Sequence, residues 1–522
     1  MTAYDAVIIG AGHNGLACAA HLAKRGWKLA VFEGADEPGG AVRTGEVTAP
    51  GFRHDLGAMN LSLFAGSAFH KAYGEELKSH GLAFAPAENC FASVFPDGRW
   101  LGVSTDLART KARIAGFSPR DAEAWGALLE AFPRRAETLF ALLGSPMTKR
   151  ALARISFSAL RRHGFSGSLE LLRFLLSSPR AWLDETFESE EVKALVAPWG
   201  MHLDFAPDIS GGALFPYLEG LANQSFGMVI GQSGADTVIR ALAGMVKAHG
   251  GVIECSAPVA RVETAGGKAV GVVLADGRRI DAKKAVIGGV APRALAGLLP
   301  GGSGDEKFDR RMQAFRHAPG TLMIHLAVDD LPAWPDPELR RFAYVHLAPS
   351  LDMMARAYTE AKAGLLPAEP VVVVGQPTAI DPSRAPAGKH VLWLQVRVVP
   401  AEIRGDAAGE IAARDWDEVR DLYADRALAL VERYAPSLRE RIMAKHVMSP
   451  LDLERWNPNL VGGDQICGSH HLSQNFLFRP APEASDWRTP VKNFHLTGAA
   501  TWPGAGVGAG SGFMLARELA GG

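Results

Sequence analysis

The chain has 522 residues, of which 48% are hydrophobic and 21% are charged, and its formal net charge is −1. This length allows about two or three domains with a large buried core, and the balanced charge excludes a global field that would attract nucleic acid. No nucleic-acid motif is present, so we predict no nucleic-acid partner.

The cysteine and hydropathy patterns further limit the classes of protein to which this chain can belong. The four cysteines are scattered and form no CxxC pair, so we predict no metal site and no dithiol redox centre. So few cysteines in so long a chain favour a reducing compartment, and we predict a cytoplasmic protein. We predict no secretory signal, because the first apolar run follows no basic start, and no membrane span, because no stretch reaches roughly 18 apolar residues.

The N-terminal segment has the pattern of a strand, a glycine turn, a helix and a second strand. These elements are predicted at residues 4–9, 10–15, 16–25 and 28–32. Gly10 permits the tight turn, Gly12 lets a pyrophosphate approach the backbone, and Gly15 lets the helix pack close to the strand. The helix N-terminus presents free N–H groups to phosphates, and Glu33, which ends the second strand, can accept a hydrogen bond from a ribose hydroxyl. The segment therefore predicts a dinucleotide-binding unit.

The motif continues after Glu33. A second glycine pair, Gly39 and Gly40, is followed by Ala41 and then by Arg43. A further stretch at residues 51–58 contains His54, Asp55, Gly57 and Ala58.

The next part of the chain is predicted to be a hairpin followed by helices. Apolar runs at 90–95 and 100–103 flank an Asp-Gly turn, which is a hairpin signal. Ser118 before Pro119 predicts the N-cap of a helix. Residues 150–182 alternate bulky apolar residues with arginines. Such a helix can lie on a membrane surface; the alternative, which we favour, is a substrate-domain helix with a solvated basic face.

The middle of the chain returns to short strands. A loop and helix at 231–242 precede strands at 251–254, 257–263, 268–274 and 285–289. Strong strand candidates then lie at 322–328, 370–374 and 390–396, and the apolar spacing at 415–434 predicts a helix with a buried face.

The C-terminal segment combines a strand, a glycine-rich stretch and a helix. Residues 494–497 are a buried-strand pattern that ends at Gly498, and the glycines from 504 to 512 lead into a helix that reaches Leu519. These glycines let the backbone approach a flat ligand closely. The helix N-terminus would then stabilise negative charge on a reduced ring.

Taken together, these motifs resemble the phytoene desaturase-like FAD-dependent oxidoreductases and, within them, the group of pyridine nucleotide-disulfide oxidoreductase domain-containing protein 2. The resemblance implies an α/β fold: a discontinuous FAD-binding Rossmann domain of the glutathione-reductase type, with an inserted α+β substrate domain. The FAD-binding domain is expected at residues 1–70, 225–295 and 445–522, and the substrate domain at 71–224 and 296–444.

The resemblance also implies the residues that contact FAD. In these families an arginine directly follows the second glycine pair; Ala41 stands there in this chain, which makes Arg43 the candidate. Val259 would contact adenine through its backbone. The full set is Gly10, Gly12, Gly15, Glu33, Gly39, Gly40, Arg43, Gly57, Ala58, Val259, Gly498, Ala499, Gly506 and Val507.

The predicted reaction is the removal of a hydride from a hydrophobic substrate onto flavin N5, that is, dehydrogenation or desaturation. No second nucleotide motif is present, so oxygen, a quinone or another carrier would reoxidise the flavin. His54, Asp55, His470 and His471 are the polar residues nearest the predicted ring motifs. Each could act as a base or only form structural hydrogen bonds, and Asp55 could instead hold the loop before Gly57. If His470 and His471 lie on a strand, at most one faces the flavin.

Two alternatives remain open at this stage. One is a flavin amine oxidase, for which we expect an aromatic pair and often a lysine near the flavin, neither of which the sequence places. The other is a non-catalytic flavin-binding assembly protein. The sequence also leaves the substrate, a covalent flavin link and the oligomeric state open.

Overall fold

The computed structural model describes residues 3–521. The strands are β1 Ala3–Ile9, β2 Leu29–Phe32, β3 Thr44–Gly45, β4 His54–Asp55, β5 Phe84–Ala87, β6 Asn89–Val94, β7 Trp100–Ser104, β8 Met228–Gly231, β9 Val252–Glu254, β10 Val259–Ala265, β11 Lys268–Leu274, β12 Arg279–Gly288, β13 Gly320–Val328, β14 Tyr344–Leu347, β15 Leu365–Leu366, β16 Val371–Gly375, β17 His390–Val399, β18 Gly405–Asp406, β19 Ile442–Met448 and β20 Phe494–Leu496.

The α-helices lie between these strands. They are α1 His13–Lys24, α2 Ser62–Ala65, α3 Ala68–Ser79, α4 Leu107–Ala115, α5 Pro119–Leu143, α6 Lys149–Leu176, α7 Pro179–Thr186, α8 Glu190–Val196, α9 Pro198–Met201, α10 Leu214–Phe226, α11 Thr237–Ala248, α12 Leu295–Leu298, α13 Glu306–Gln313, α14 Leu351–Lys362, α15 Trp416–Tyr434, α16 Pro450–Trp456 and α17 Gly510–Ala520.

The first sheet is built around β1. β1 pairs in parallel with β2 on one side and with β12 on the other, β9 extends the sheet beyond β2, and β20 pairs in parallel with β12. β10 and β11 form an antiparallel ribbon on the first half of β12. β1 is apolar without interruption because both faces of the sheet are covered: Ala6 and Ile8 pack toward α1, whereas Val7 and Ile9 pack toward the opposite layer.

Helix α1 begins at the glycine turn and lies between the sheet and two other helices. Ala17, Ala20 and Leu22 are fully buried in the cluster that includes β1 residues, as the sequence pattern predicts. α11 and α17 also pack against α1. The C-terminal helix therefore lies next to the N-terminal turn.

The second sheet has the order β19-β13-β17-β16-β14-β6-β7, and all its pairs are antiparallel except β6 with β14. One face packs on α15: Ile324 of β13 and Leu394 of β17 share a core cluster with Val419 and Tyr423 of that helix. The other face packs against the helices of residues 107–226, since Phe91, Met323 and Val373 share a core cluster with residues of those helices. The predicted α/β architecture is confirmed.

The first sheet takes all its strands from the three segments predicted to form one domain, and the second sheet takes its strands from the intervening segments. The one difference is β19, which crosses the predicted boundary at residue 445 and stays in the second sheet to Met448. β19 therefore continues the second sheet past the predicted boundary.

Local sequence features define the start of α5 and the break within α6. Ser118 caps α5 by accepting a hydrogen bond from the Asp121 backbone N–H at 3.0 Å, as predicted. The basic stretch forms α6, which is interrupted at Gly164, where φ is 69°. No helix within residues 3–521 has the length and apolar character needed to cross a membrane.

Candidate functional site

A cavity is lined by residues from both sheets and their connecting loops. Much of its lining follows β1, β4 and β20, at the residues predicted from the glycine motifs. Those predicted residues are Gly10, Gly12, Gly15, Gly40, Gly57, Ala58, Gly498, Ala499, Gly506 and Val507. Other parts of the wall come from β14 and β17 of the second sheet, from α9 and α10, and from the loop at residues 457–467.

The glycine turn leaves backbone, without side chains, at the cavity wall. The Gly10 N–H donates to the Phe32 carbonyl at 2.8 Å, which ties the turn to β2. A Cβ atom on Gly15 would lie 2.4 Å from the Gly10 carbonyl oxygen, so α1 approaches the turn as closely as glycine allows. A Cβ atom on Gly12 would instead meet nothing closer than the Gly40 Cα at 4.0 Å. The space beside Gly12 is therefore open to a ligand.

Glu33 lies beside the turn at the end of β2. Its carboxylate accepts hydrogen bonds from the Ala11 N–H at 2.6 Å and the Ala35 N–H at 3.0 Å. The Ala257 N–H donates to the Glu33 carbonyl at 2.8 Å, and this bond brings the loop before Val259 against Glu33. Neither Glu33 nor Val259 lines the cavity itself. Glu33 contacts the glycine turn, Val259 follows Ala257 by two residues, and the contact of either with a ligand stays a prediction.

The second glycine pair lies directly under the turn. The Gly39 N–H donates to the Ala11 carbonyl at 3.0 Å, and Gly40 lines the cavity. Gly39 does not line it. Arg43 also lies outside: its Nη2 donates to the Glu37 carbonyl at 2.8 Å, and it stands 3.9 Å from the Asp36 carboxylate.

The C-terminal segment is held together by the Ser511 hydroxyl and contacts α1 at Gly512. Ser511, in the first turn of α17, lies 3.1 Å from the Thr497 hydroxyl and 2.6 Å from the Thr501 hydroxyl. A Cβ atom on Gly512 would lie 1.9 Å from the Asn14 carbonyl oxygen. The N-termini of α1 and α17 therefore meet at the cavity, so the three predicted segments are adjacent in space.

None of the four polar residues predicted as catalytic candidates lines this cavity. His54 is buried and lies 2.8 Å from the Thr48 hydroxyl, and burial lowers the pKa of its imidazole to about 3. Asp55 is buried against Arg384, whose Nη1 donates to it at 2.5 Å, and it also accepts from the Ala235 N–H at 2.7 Å. These contacts correspond to the alternative structural role, in which Asp55 holds the loop before Gly57.

His470 and His471 also make contacts with protein groups. The Ala505 N–H donates to His470 Nε2 at 3.0 Å, which positions the loop before Gly506, and burial holds the pKa of His470 well below its usual value. His471 Nε2 lies 2.7 Å from the Asp204 carbonyl oxygen. The two histidines precede a short 3-10 turn and do not lie on a strand. Their catalytic role stays a prediction that these positions do not support.

The cavity contains polar and aromatic residues that sequence reasoning missed. Trp393, Gln395 and Arg397 alternate along β17 and line the cavity, whereas Leu392, Leu394 and Val396 face the core on the other side. Other missed residues include Trp199, His202, Glu219, Tyr344 and Gln465. The alternation of polar residues within the apolar strand β17 was the available signal.

Two of the residues that line the cavity, Glu219 and Arg397, are of types that are normally charged at neutral pH. Burial raises the pKa of the Glu219 carboxyl to about 7, and its hydrogen-bonding neighbour is Asn223, at 3.4 Å. Burial lowers the pKa of the Arg397 guanidinium to about 10. Perturbed carboxyls inside a cavity are frequent among functional groups.

The residues present fit a flavin dinucleotide. Open space beside Gly12, the free N–H groups of the α1 N-terminus and the neighbouring carboxylate of Glu33 match a diphosphate and a ribose. Gly498 has a positive φ of 114°, and a Cβ atom there would meet nothing within 4 Å, so the backbone can lie against a flat ring.

Comparisons with known proteins agree with this fit. The family model described as flavin containing amine oxidoreductase matches residues 15–510. Pyridine nucleotide-disulfide oxidoreductase domain-containing protein 2 of Rattus norvegicus is 30% identical, over 97% of this chain and 91% of that protein. Phytoene dehydrogenase of Streptomyces griseus is 28% identical, over 96% of this chain and 92% of that protein.

The fold also resembles solved structures. An oxidoreductase from Methanosarcina mazei superposes with a TM-score of 0.64 at 18% identity, over 98% of this chain and 99% of that one. This likeness supports the fold alone.

The open space beside Gly12 leads to a direct prediction. Gly12→Ala keeps the fold, because φ of −71° and ψ of 165° suit alanine and the new methyl group meets no protein atom closer than 4.0 Å. We expect FAD affinity to fall at least about tenfold, because the methyl group occupies the approach of the pyrophosphate. Quenching of FAD fluorescence during reconstitution measures the affinity.

The matched control is Gly297→Ala, at a helical glycine whose Cβ would also meet no atom within 4 Å but which lies away from the cavity. Equal FAD affinity in Gly12→Ala and Gly297→Ala would contradict the assignment of the turn.

Proposed function

Because the chain belongs to the flavin containing amine oxidoreductase family and is an FAD-dependent oxidoreductase, we propose that it dehydrogenates a hydrophobic small molecule bound in the cavity. The observation that carries the proposal is the continuity of this cavity, which extends from the glycine turn to a chamber with apolar and aromatic walls. FAD, when bound, supplies the acceptor for the hydride.

The walls away from the glycine turn suit an apolar substrate. Tyr344 and Trp393 stack with ring centroids 5.7 Å apart, and Leu203, Leu460 and Met59 add aliphatic surface. Burial of apolar area on such walls gives about 25 cal/mol per Å² and excludes water from the substrate. One relative by sequence is named phytoene dehydrogenase, and the dehydrogenation of a hydrophobic substrate agrees with that name.

Glu219 is the candidate base for a substrate that must lose a proton. It lines the cavity, and its pKa of about 7 leaves the carboxylate available near neutral pH. Since the carboxylate form is the one that accepts a proton, its contribution increases as pH rises through the pKa.

One observation favours the alternative of an amine oxidase. The stacked pair of Tyr344 and Trp393 is the kind of aromatic surface expected to hold an amine. Within the described residues, however, no lysine lines the cavity. We therefore keep dehydrogenation of a hydrophobic substrate as the main proposal.

We further propose that the protein contacts a membrane surface through α6. After the break at Gly164, Phe165, Leu169, Leu172 and Leu176 form one stripe at helical spacing, and all four are exposed, Phe165 by 77%. A stripe of this kind normally faces a core. α6 carries six lysine or arginine residues and one acidic residue, which suits anionic headgroups.

A cytoplasmic location stays part of the proposal. It is supported by the four cysteines, which are all free thiols in the described chain. The oxidant, whether oxygen, a quinone or another carrier, stays a prediction.

Anaerobic bleaching of the bound flavin tests the proposed reaction. We expect isoprenoids or fatty acyl compounds to reduce the flavin and amines not to do so, as followed by absorbance. With the active compound, the reduction rate of the native protein should rise through about pH 7, because Glu219 must be deprotonated. Glu219→Gln should be slower and lose this rise.

Reduction by amines alone would replace the main proposal with an amine oxidase. An unchanged pH profile in Glu219→Gln would exclude Glu219 as the base. If no compound in any class reduces the flavin, the non-catalytic alternative gains support.

Sedimentation with lipid vesicles tests the membrane contact. The double variant Phe165→Glu, Leu169→Glu should lose most binding to vesicles of phosphatidylserine and phosphatidylcholine, because it places two charges in the apolar stripe. Leu422→Glu on α15, where the side chain is 53% exposed, is the control and should bind normally. Equal binding of native protein and double variant would contradict the contact.

A further inference from the structure

Arg397 is a buried guanidinium that has no partner in the described chain. It is 9% exposed, forms no ion pair or hydrogen bond through its side chain there, and its Nε is buried without a hydrogen-bond acceptor. Arg397 lines the cavity, and it also lines a small neighbouring pocket together with Asp464 and Gln465. A buried charge without a partner is costly, so proteins rarely retain one unless a ligand supplies the opposite charge.

The carboxylate whose charge acts on Arg397, that of Asp464, already accepts hydrogen bonds from other groups. Asp464 accepts hydrogen bonds from the Ala318 N–H at 3.0 Å, the Ile466 N–H at 3.0 Å and the Gly468 N–H at 2.6 Å. It does not come within 4.0 Å of the guanidinium. Burial lowers the pKa of Arg397 to about 10, and the charge of Asp464, which makes no ion pair with the guanidinium, does not offset the effect of burial.

Two amides beside Arg397 also have unused hydrogen-bonding groups. Gln395 Nε2 donates to Gln465 Oε1 at 2.5 Å, whereas Gln395 Oε1 and Gln465 Nε2 are buried and have no partner. If both amides are flipped, the pair still leaves one donor and one acceptor unused. Both residues line the cavity. A polar ligand group is therefore expected at this place.

The backbone that holds Arg397 is bulged. Arg397 and Val398 both lie opposite Thr321 of β13, because the pairing shifts between Val396 with Leu322 and Val399 with Gly320. Val398 has φ of 53°, which is rare for a β-branched residue. Bulges and such strained residues are found next to functional sites, where they direct a side chain.

We propose that this end of the cavity binds the carboxylate of an amphipathic substrate, with Arg397 as its ion-pair partner and the amides of Gln395 and Gln465 beside it. The inference rests on the proposed function, since the apolar part of the same molecule would occupy the aromatic chamber. A neutral hydrocarbon would leave the guanidinium unpaired, and an ammonium group would be repelled by it. Arginine presents two parallel N–H donors to a carboxylate, which gives the site its geometry.

Binding to the oxidised, FAD-loaded protein tests the inference without turnover. Isothermal titration calorimetry compares decanoate, decanol, decylamine and acetate. We expect decanoate to bind at least about tenfold more tightly than decanol and decylamine, and acetate to bind weakly because it lacks the apolar chain. Arg397→Met should remove the preference for decanoate and leave decanol binding unchanged, and Arg397→Lys should keep part of it.

Thermal unfolding and flavin content separate a binding role from a structural one. Arg397→Met should raise the melting temperature of the ligand-free protein, because it removes an unpaired buried charge, and should keep the flavin content of the native protein. A lower melting temperature or a loss of flavin would show that Arg397 supports the fold or the cofactor, and would overturn the inference.

Different results would contradict the carboxylate site and the proposed dehydrogenation. Unchanged decanoate binding in Arg397→Met, or preferential binding of decylamine, overturns the carboxylate site even if a neutral compound reduces the flavin. Binding of decanoate that depends on Arg397, without reduction of the flavin by any compound, contradicts the proposed reaction and supports the site.

Discussion

Close approach of backbone to backbone is the constraint on which the rest of this structure depends. At Gly57 a Cβ atom would lie 2.3 Å from the Ala41 oxygen, and at Gly512 it would lie 1.9 Å from the Asn14 oxygen. No side chain fits at these points, so glycine there brings together stretches of chain that are remote in sequence. The result is a cavity with a backbone wall at one end, which suits a diphosphate and a flat ring.

The second sheet completes the cavity with side chains. β17 presents Trp393, Gln395 and Arg397 on its cavity face while its other face packs in the core. The buried charge of Arg397 differs from the buried charges of Asp55 and Arg384. Asp55 and Arg384 are buried and pair with one another, whereas Arg397 has no partner within the described chain. Because of this contrast, we assign Arg397 a role in binding a ligand and Asp55 a role in stabilising the fold.

The parts of the site that could be predicted from sequence are the local ones. Gly10, Gly12 and Gly15 lie within one turn, so their spacing carries the geometry, and the first strand and helix form where the pattern predicts. Glu219 could not be found this way, because it reaches the cavity only through the packing of α10, and the alternation of polar residues along β17 was the one local signal for Arg397. His470 lies close to the predicted ring motif along the chain, yet its ring faces the Ala505 backbone, a direction that proximity in sequence does not define.

The central claim is that the N-terminal turn, the segment around Gly40 and Gly57, and the C-terminal glycines bind a single FAD. Hydrogen exchange of the flavin-free protein during FAD titration tests it most directly. We predict that amides at residues 10–15, 39–58 and 498–507 become protected together, with one common dependence on FAD concentration. Protection of the first segment alone, or different midpoints for the three segments, would contradict the claim.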